Sequence, residues 1–316
     1  MYNIFSIEPL SIQQIKNIES HTSCKVIILQ RDFYVSCELM PNIEVLIARN
    51  RDNIEKIVEV CPNLKLLFIV STGVEKIPFK ILQDRGVLVA NTGGINNEIM
   101  SEYVLGYILA DSVRIEENLK NQALHHWKKY QCVDSLNGRT ILIVGAGRVG
   151  MSIAQKTKCF GMTNIGVKRQ VQTLPYFDEM DSLDNLYNIL PKADYVVCCL
   201  PLTQYTNKIF DDKAFSCMKA SAMFINISRG ACVNEQDLIN ALNQNKIRKA
   251  VLDVFDTEPL STDNSLWDTP NLLISPHSSG RLENFMDEAI NYFISNYNAF
   301  VNGLELPNKV DLINGY

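Results

Sequence analysis

Short apolar runs alternate with amphipathic segments along most of the chain. CKVIILQ (24–30), IEVLIAR (43–49), LKLLFIV (64–70) and GVLVAN (86–91) are continuous and β-branched. Runs of this kind form strands covered on both faces, and helical-length segments lie between them, so the pattern predicts a parallel α/β unit. A longer helical pattern spans Asn97 to Leu119, then a polar stretch passes through Trp127 and Asp134. A second series opens at Thr140: TILIVGA (140–146), TNIGVKR (163–169), YVVCCL (195–200), AMFINIS (222–228), KAVLDVF (249–255) and NLLISP (271–276). Asn234 before EQDLINALNQN predicts a capped helix with acids in its first turn. Arg281 to Val301 predicts a final amphipathic helix, closed by Gly303 and Pro307. The fold class is α/β, with two parallel-sheet units in series.

Composition narrows the function. A chain of 316 residues favours two domains. The net charge of −5 argues against wholesale nucleic-acid binding, which needs a basic face. None of the nine cysteines forms a C-x-x-C pair, so they read as reduced core thiols, and Cys198 and Cys199 point to opposite faces of a strand. The N-terminus MYNIFSIEPL lacks a basic targeting region, and runs such as Leu66 to Val70 are too short to span a bilayer. The expectation is a cytoplasmic protein with neither nucleic-acid nor membrane partner. The adjacent His125 and His126 face different sides of any helix, so no metal site is expected there.

One turn carries cofactor chemistry. ILIVGAGRVG places Gly145, Gly147 and Gly150 in G-x-G-x-x-G spacing, with Arg148 and Val149 between the last two glycines. Glycines permit a tight turn and close approach to a pyrophosphate, and the following helix N-terminus offers N–H groups and a positive dipole end. A methyltransferase uses a similar turn, but this one follows an apolar strand and opens a helix, the context of a dinucleotide site. At the end of the second strand, where an acid would hold the ribose 2′-OH, stand Lys168 and Arg169. Two cations there favour a 2′-phosphate, hence NADP over NAD.

Three further residues sit just past apolar strands: Arg229 in NISRGACVNEQDL, Glu258 in LDVFDTEPL and His277 in ISPHSSG. Open parallel sheets bind ligands at those strand ends. A carbonyl that accepts hydride must also take a proton, and an imidazolium supplies one when a carboxylate orients it. A guanidinium grips a substrate carboxylate and polarises the keto oxygen.

At these residues the sequence resembles the D-isomer-specific 2-hydroxyacid dehydrogenase family, whose catalytic trio is Arg, Glu and His in this order. STGVEKIP (71–78) is similar to the family's substrate loop, NTGGINNEIMSEYVLG (91–106) to the segment opening its cofactor domain, with Glu102 in place, and CLPLTQYTNKIF (199–210) to its loop over the adenosine and ribose. NSLWDTPNLLISPHSSG (264–280) is similar to the signature ending in the catalytic His.

The resemblance implies substrate contacts at Thr72, Gly73 and Arg229, and cofactor contacts at Leu200, Pro201, Thr206, Ile227 and His277. It assigns Asp253 to the nicotinamide carboxamide. It also implies two Rossmann- or flavodoxin-like domains. Residues 1–95 and 283–316 would form a discontinuous substrate domain, with a dinucleotide-binding domain inserted over 96–282 and the active site in the cleft. A homodimer is implied, with the region around Trp127 packed against the second subunit. Lys168 departs from the family's acidic ribose residue, and Glu75 stands where Asp is usual. The activity implied is hydride transfer between NAD(P)H and C2 of a small 2-oxo or 2-hydroxy acid such as glyoxylate or hydroxypyruvate. The same likeness admits a nucleotide-sensing corepressor or a formate- or phosphite-type dehydrogenase.

Overall fold

The computed structural model describes residues 2–29, 40–50, 52–74, 76–129 and 131–313; Gln30 at the end of the first expected strand, Cys37 and Glu75 lie outside them. The chain divides into two compact units, Met1–Ile95 with Leu282–Tyr316, and Asn96–Arg281.

The first unit begins with β1 (Ile4–Ser6), α1 (Ile12–Thr22), β2 (Val26–Ile28), β3 (Val45–Ala48), α2 (Ile54–Val60), β4 (Leu66–Ile69), α3 (Phe79–Asp84) and β5 (Leu88–Asn91). Its five strands are parallel in the order β2-β1-β3-β4-β5. Successive side chains enter opposite cores: Phe5, Leu46 and Leu67 pack on one face, and Ile4, Val45 and Leu66 on the other. β1 was absent from the expected strands because three residues are too short for a pattern, yet they lie fully buried inside the sheet.

The second unit comprises α4 (Asn97–Ser112), α5 (Ile115–Ala123), β6 (Thr140–Val144), α6 (Arg148–Lys158), β7 (Thr163–Val167), β8 (Glu179–Asp181), α7 (Leu186–Ile189), β9 (Tyr195–Cys198), α8 (Asp212–Cys217), β10 (Met223–Asn226), α9 (Glu235–Asn243), β11 (Lys249–Leu252) and β12 (Leu272–Ile274). Its seven strands are parallel in the order β12-β11-β10-β9-β6-β7-β8. The chain runs outward from β6 to β8, then returns to β9 on the other side of β6. The strand order therefore reverses between β6 and β9, the place where such sheets open a ligand crevice. β8 is polar, so hydrophobic patterning did not reveal it; it closes the sheet edge beside β7. Cys198 packs into the core on one face of this sheet and Cys199 against that on the other, as strand alternation requires.

The helical pattern from Asn97 to Leu119 is broken. α4 ends at Ser112, Arg114 takes a left-handed φ of 60°, and α5 restarts at Ile115. The polar stretch that follows enforces the break: the Asp134 amide donates to the Ser112 carbonyl at 2.8 Å, and the Asp134 carboxylate accepts from Arg114 at 2.9 Å. Asn234 caps α9, accepting from the Asp237 amide, with Glu235 and Asp237 in the first turn. α10 (Phe285–Val301) returns to the first unit, where Phe293 lies 5.4 Å edge-on from Phe68. Burial of Phe293 and its neighbours Ile290 and Tyr297 contributes about 1.5–3 kcal/mol per large apolar side chain.

Candidate active site

The glycine turn lies at the point of strand reversal. Gly145 follows β6 at φ +110°, and its amide donates to the Val167 carbonyl at 3.0 Å. A Cβ on Gly145 would fall 2.6 Å from the Cys199 carbonyl carbon, so only glycine lets β6 and the loop after β9 approach this closely. A Cβ on Gly150 would fall 2.4 Å from the Gly145 carbonyl oxygen, which ties α6 down onto the turn. Gly147 differs, because a Cβ there meets nothing within 4 Å. It stands at the N-terminus of α6, where no side chain caps the helix and no acid occupies the first turn. Arg148 and Val149 supply that turn. An open glycine beside a helix N-terminus of positive dipole fits a pyrophosphate group.

The remaining expected cofactor residues line this end of the sheet. Lys168 follows β7, its amide donating to the Asp181 carbonyl at 3.1 Å, and Arg169 is exposed beside it. Asp181 is the nearest acid on β8, but its carboxylate accepts from the Ser182 amide at 2.7 Å and from Asn185 at 2.6 Å. Leu200 and Pro201 follow β9. The buried Thr206 hydroxyl holds their loop, donating to the Pro201 carbonyl at 2.7 Å while accepting from the Thr203 amide at 2.8 Å. Ile227 is buried after β10, its amide donating to the Cys198 carbonyl at 3.3 Å. Thr72 and Gly73 lie in the first unit, past the end of β4. Ser71 donates to the Gly73 carbonyl at 2.8 Å and Asn91 to the Thr72 carbonyl at 2.8 Å.

The three chemical side chains lie past β10, β11 and β12, which are neighbours in the sheet. The Nδ1 atom of His277 is 2.7 Å from Glu258 Oε2, and Glu258 Oε1 accepts from the Phe255 amide at 3.0 Å. The carboxylate is thus fixed at one oxygen and holds the imidazole at the other, while half of the His277 side chain remains exposed. Arg229 is partly buried on the adjoining loop, its guanidinium donating to the Ser228 carbonyl at 2.7 Å. The next residue joins the two loops: a Cβ on Gly230 would fall 1.9 Å from the Phe255 carbonyl carbon. The structure therefore brings Glu258 and His277 into contact and places Arg229 one strand away.

Asp253 is fully buried, and its carboxylate turns toward the loop carrying His277. It accepts from Ser275 Oγ at 2.6 Å, from the Ser278 amide at 2.8 Å and from the Ser279 amide at 2.9 Å. Tyr103 on α4 touches Ser275 Oγ and stands 3.5 Å from the same carboxylate. Neither Tyr103 nor Ser275 stood out in the sequence, because a single Tyr on an apolar helix and a Ser before Pro carry no spacing signal. Among the described residues, no group of three His, Cys, Asp or Glu is placed to hold a metal, and no helix is long and apolar enough to cross a membrane.

Comparison with known proteins agrees with this geometry. Residues 105–279 match the model of the D-isomer specific 2-hydroxyacid dehydrogenase, NAD binding domain. Glyoxylate/hydroxypyruvate reductase B of Klebsiella pneumoniae is 31% identical over 85% of this chain and 82% of its own length. Glyoxylate reductase of Thermofilum pendens is 32% identical over 76% of this chain and 74% of its own. Among solved structures, a D-isomer specific 2-hydroxyacid dehydrogenase family protein from Aeromonas salmonicida is 31% identical. It covers 98% of this chain and 99% of its own at a TM-score of 0.81. An NAD-binding domain of switch-point topology, a glycine turn at that point and an acid–imidazole pair beside it lead to one conclusion: the chain belongs to the D-isomer specific 2-hydroxyacid dehydrogenase family and is an NAD(P)-dependent oxidoreductase.

Proposed function

We propose that this protein reduces a small 2-oxo acid of the glyoxylate or hydroxypyruvate class, with NADPH preferred to NADH. The 2.7 Å contact between Glu258 and His277 at the strand ends carries this reading. The nicotinamide supplies hydride when bound. His277 presents its other ring nitrogen, Nε2, to the carbonyl oxygen and delivers the proton there, since Nδ1 is engaged by Glu258. Glu258 fixes the ring orientation. Arg229 grips the substrate carboxylate and polarises the carbonyl. Gly145, Gly147 and Gly150 would cradle the pyrophosphate with the amides of Arg148 and Val149. Leu200, Pro201 and Ile227 would cover the rest of the dinucleotide, with Thr206 holding the loop of Leu200 and Pro201 in shape.

Two features support the finer assignments. Lys168 and Arg169 stand past β7 with no acid adjoining them in sequence, and the neighbouring Asp181 carboxylate is engaged by Ser182 and Asn185. Leu119, Leu124, Trp127 and Val133 expose apolar surface around the end of α5, with Trp127 at 89% exposure. Large apolar side chains left this exposed along one segment support a contact face, and a second copy of the chain is the occupant proposed. The deciding experiment is spectrophotometric. Purified protein is given NADPH or NADH with glyoxylate, hydroxypyruvate, other 2-oxo acids, formate and phosphite. Turnover of the 2-oxo acids that is lost in His277→Ala supports the reading, and turnover of none of them overturns it. Oxidation of formate or phosphite in their place moves the assignment to that branch.

A further inference from the structure

His277 occupies an unusual backbone conformation. Its φ is +49°, a left-handed value that a residue with a Cβ holds only where the surroundings impose it. The imposing group is Asp253. Three consecutive amides converge on that one residue: His277 N–H donates to the Asp253 carbonyl at 2.8 Å, Ser278 N–H to Oδ1 at 2.8 Å, and Ser279 N–H to Oδ2 at 2.9 Å. A left-handed residue turns successive N–H groups to the same side, which forms a concavity for an anion. Here a carboxylate of the chain itself fills it.

Asp253 is fully buried, and among the described residues no Lys or Arg pairs with its carboxylate. Its charge is met by hydrogen bonds alone, which makes each donor costly to lose. Ser275 Oγ donates to Oδ1 at 2.6 Å, and that hydroxyl has one proton to give. The Tyr103 hydroxyl in contact with Ser275 must therefore be the donor in that pair. Burial pushes the Tyr103 phenol well above its ordinary range, so it keeps its proton. A chain of donors thus runs from Tyr103 on α4 through Ser275 to Asp253, whose acceptors hold the backbone of residues 277–279.

We propose that Tyr103 and Ser275 are positioning residues for His277, acting through the buried Asp253 carboxylate. Neither would touch the oxo acid. Their effect is to hold the imidazole where Glu258 meets Nδ1 and Nε2 faces the carbonyl. The proposal rests on the assignment of His277 as proton donor.

The test combines amide hydrogen exchange with kinetics on the whole chain, using Tyr103→Phe, Ser275→Ala and Ser275→Thr and glyoxylate with NADPH. In Ser275→Ala the amides of Ser278 and Ser279 exchange faster by about tenfold, the loss of one net hydrogen bond, while exchange in the sheet is unchanged. The kcat falls about 10- to 100-fold, as displacement of a reacting group does, with KM for NADPH held within about twofold. Tyr103→Phe changes both in the same direction by less, and Ser275→Thr, which keeps the hydroxyl, restores both. Unchanged exchange at Ser278 and Ser279 overturns the proposal, as does faster exchange with wild-type kcat. A raised KM for NADPH with kcat intact also overturns it and assigns the cluster to cofactor binding. Wild-type protein that turns over no 2-oxo acid overturns the functional reading and the positioning role with it. Active wild-type protein beside unaltered variants overturns this proposal alone.

Discussion

Glu258 is bound at both of its oxygens, by the Phe255 amide at 3.0 Å and by Nδ1 of His277 at 2.7 Å. Glu258→Gln keeps an oxygen for the amide and the side-chain shape, but removes the charge and turns an NH2 donor toward Nδ1 in place of the acceptor oxygen. It is expected to lower kcat/KM for a 2-oxo acid by about 10²-fold, the low end for a perturbed acid–base group. His277→Ala loses about 10²–10⁴-fold. Both variants should melt close to wild type, because the pair is substantially exposed. Steady-state kinetics with thermal unfolding checks the set.

Two glycines three residues apart, Gly147 and Gly150, give opposite predictions. Gly147→Ala places a methyl where nothing lies within 4 Å, so the fold tolerates it but the proposed phosphate space is filled. Gly150→Ala drives a methyl to 2.4 Å from the Gly145 carbonyl oxygen, so fold and cofactor binding fail together. NADPH titration by fluorescence and the thermal midpoint separate the two behaviours.

Replacing Lys168 and Arg169 by Glu puts two negative charges where a 2′-phosphate is proposed to sit. NADPH should lose about 10²-fold or more in kcat/KM, from lost charge-assisted hydrogen bonds and added repulsion, while NADH changes little. Equal losses for both cofactors would remove the NADP assignment.

Asp111 is buried on α4 and accepts from both terminal nitrogens of Arg248 at 2.7 Å. Burial alone would push its carboxyl up, but Arg248 and Lys249 outweigh it and hold the group below its ordinary 3.8. The stability it contributes is therefore fully present above pH 3.8 and is lost as pH falls through the depressed folded value. Asp111→Asn should cost about 3 kcal/mol, the lower end for one partner of a buried pair, because Arg248 keeps 34% of its side chain in solvent. Urea unfolding at neutral and acid pH, with and without the substitution, measures both statements.

Trp127→Glu is expected to convert the proposed dimer to monomer without loss of fold, since the indole is 89% exposed in the single chain. Sedimentation velocity reads the outcome, and a wild-type monomer would set the contact aside.

The second unit was largely legible in the sequence. The strands that carry the site are continuous apolar runs, and the glycine spacing and the Arg, Glu and His after strands survive in one dimension because each depends on its immediate neighbours. Three things did not. β1 is buried by its partners rather than by any pattern of its own, β8 is a polar edge, and the helix over Asn97 to Leu119 breaks because Asp134, beyond it in the chain, takes the Ser112 carbonyl.

What the residues alone determined is the alternation of strand and helix, the glycine turn and the Arg, Glu and His proposed as the acid–base set, all consequences of local periodicity and side-chain chemistry. What only folding decided is orientation. The left-handed backbone of His277, and the burial of Asp253 against three successive amides with Tyr103 and Ser275 behind it, come from contacts between groups up to 172 positions apart, Tyr103 to Ser275. Hydrogen bonds act over about 3 Å of space whatever the separation along the chain, so no spacing rule records them.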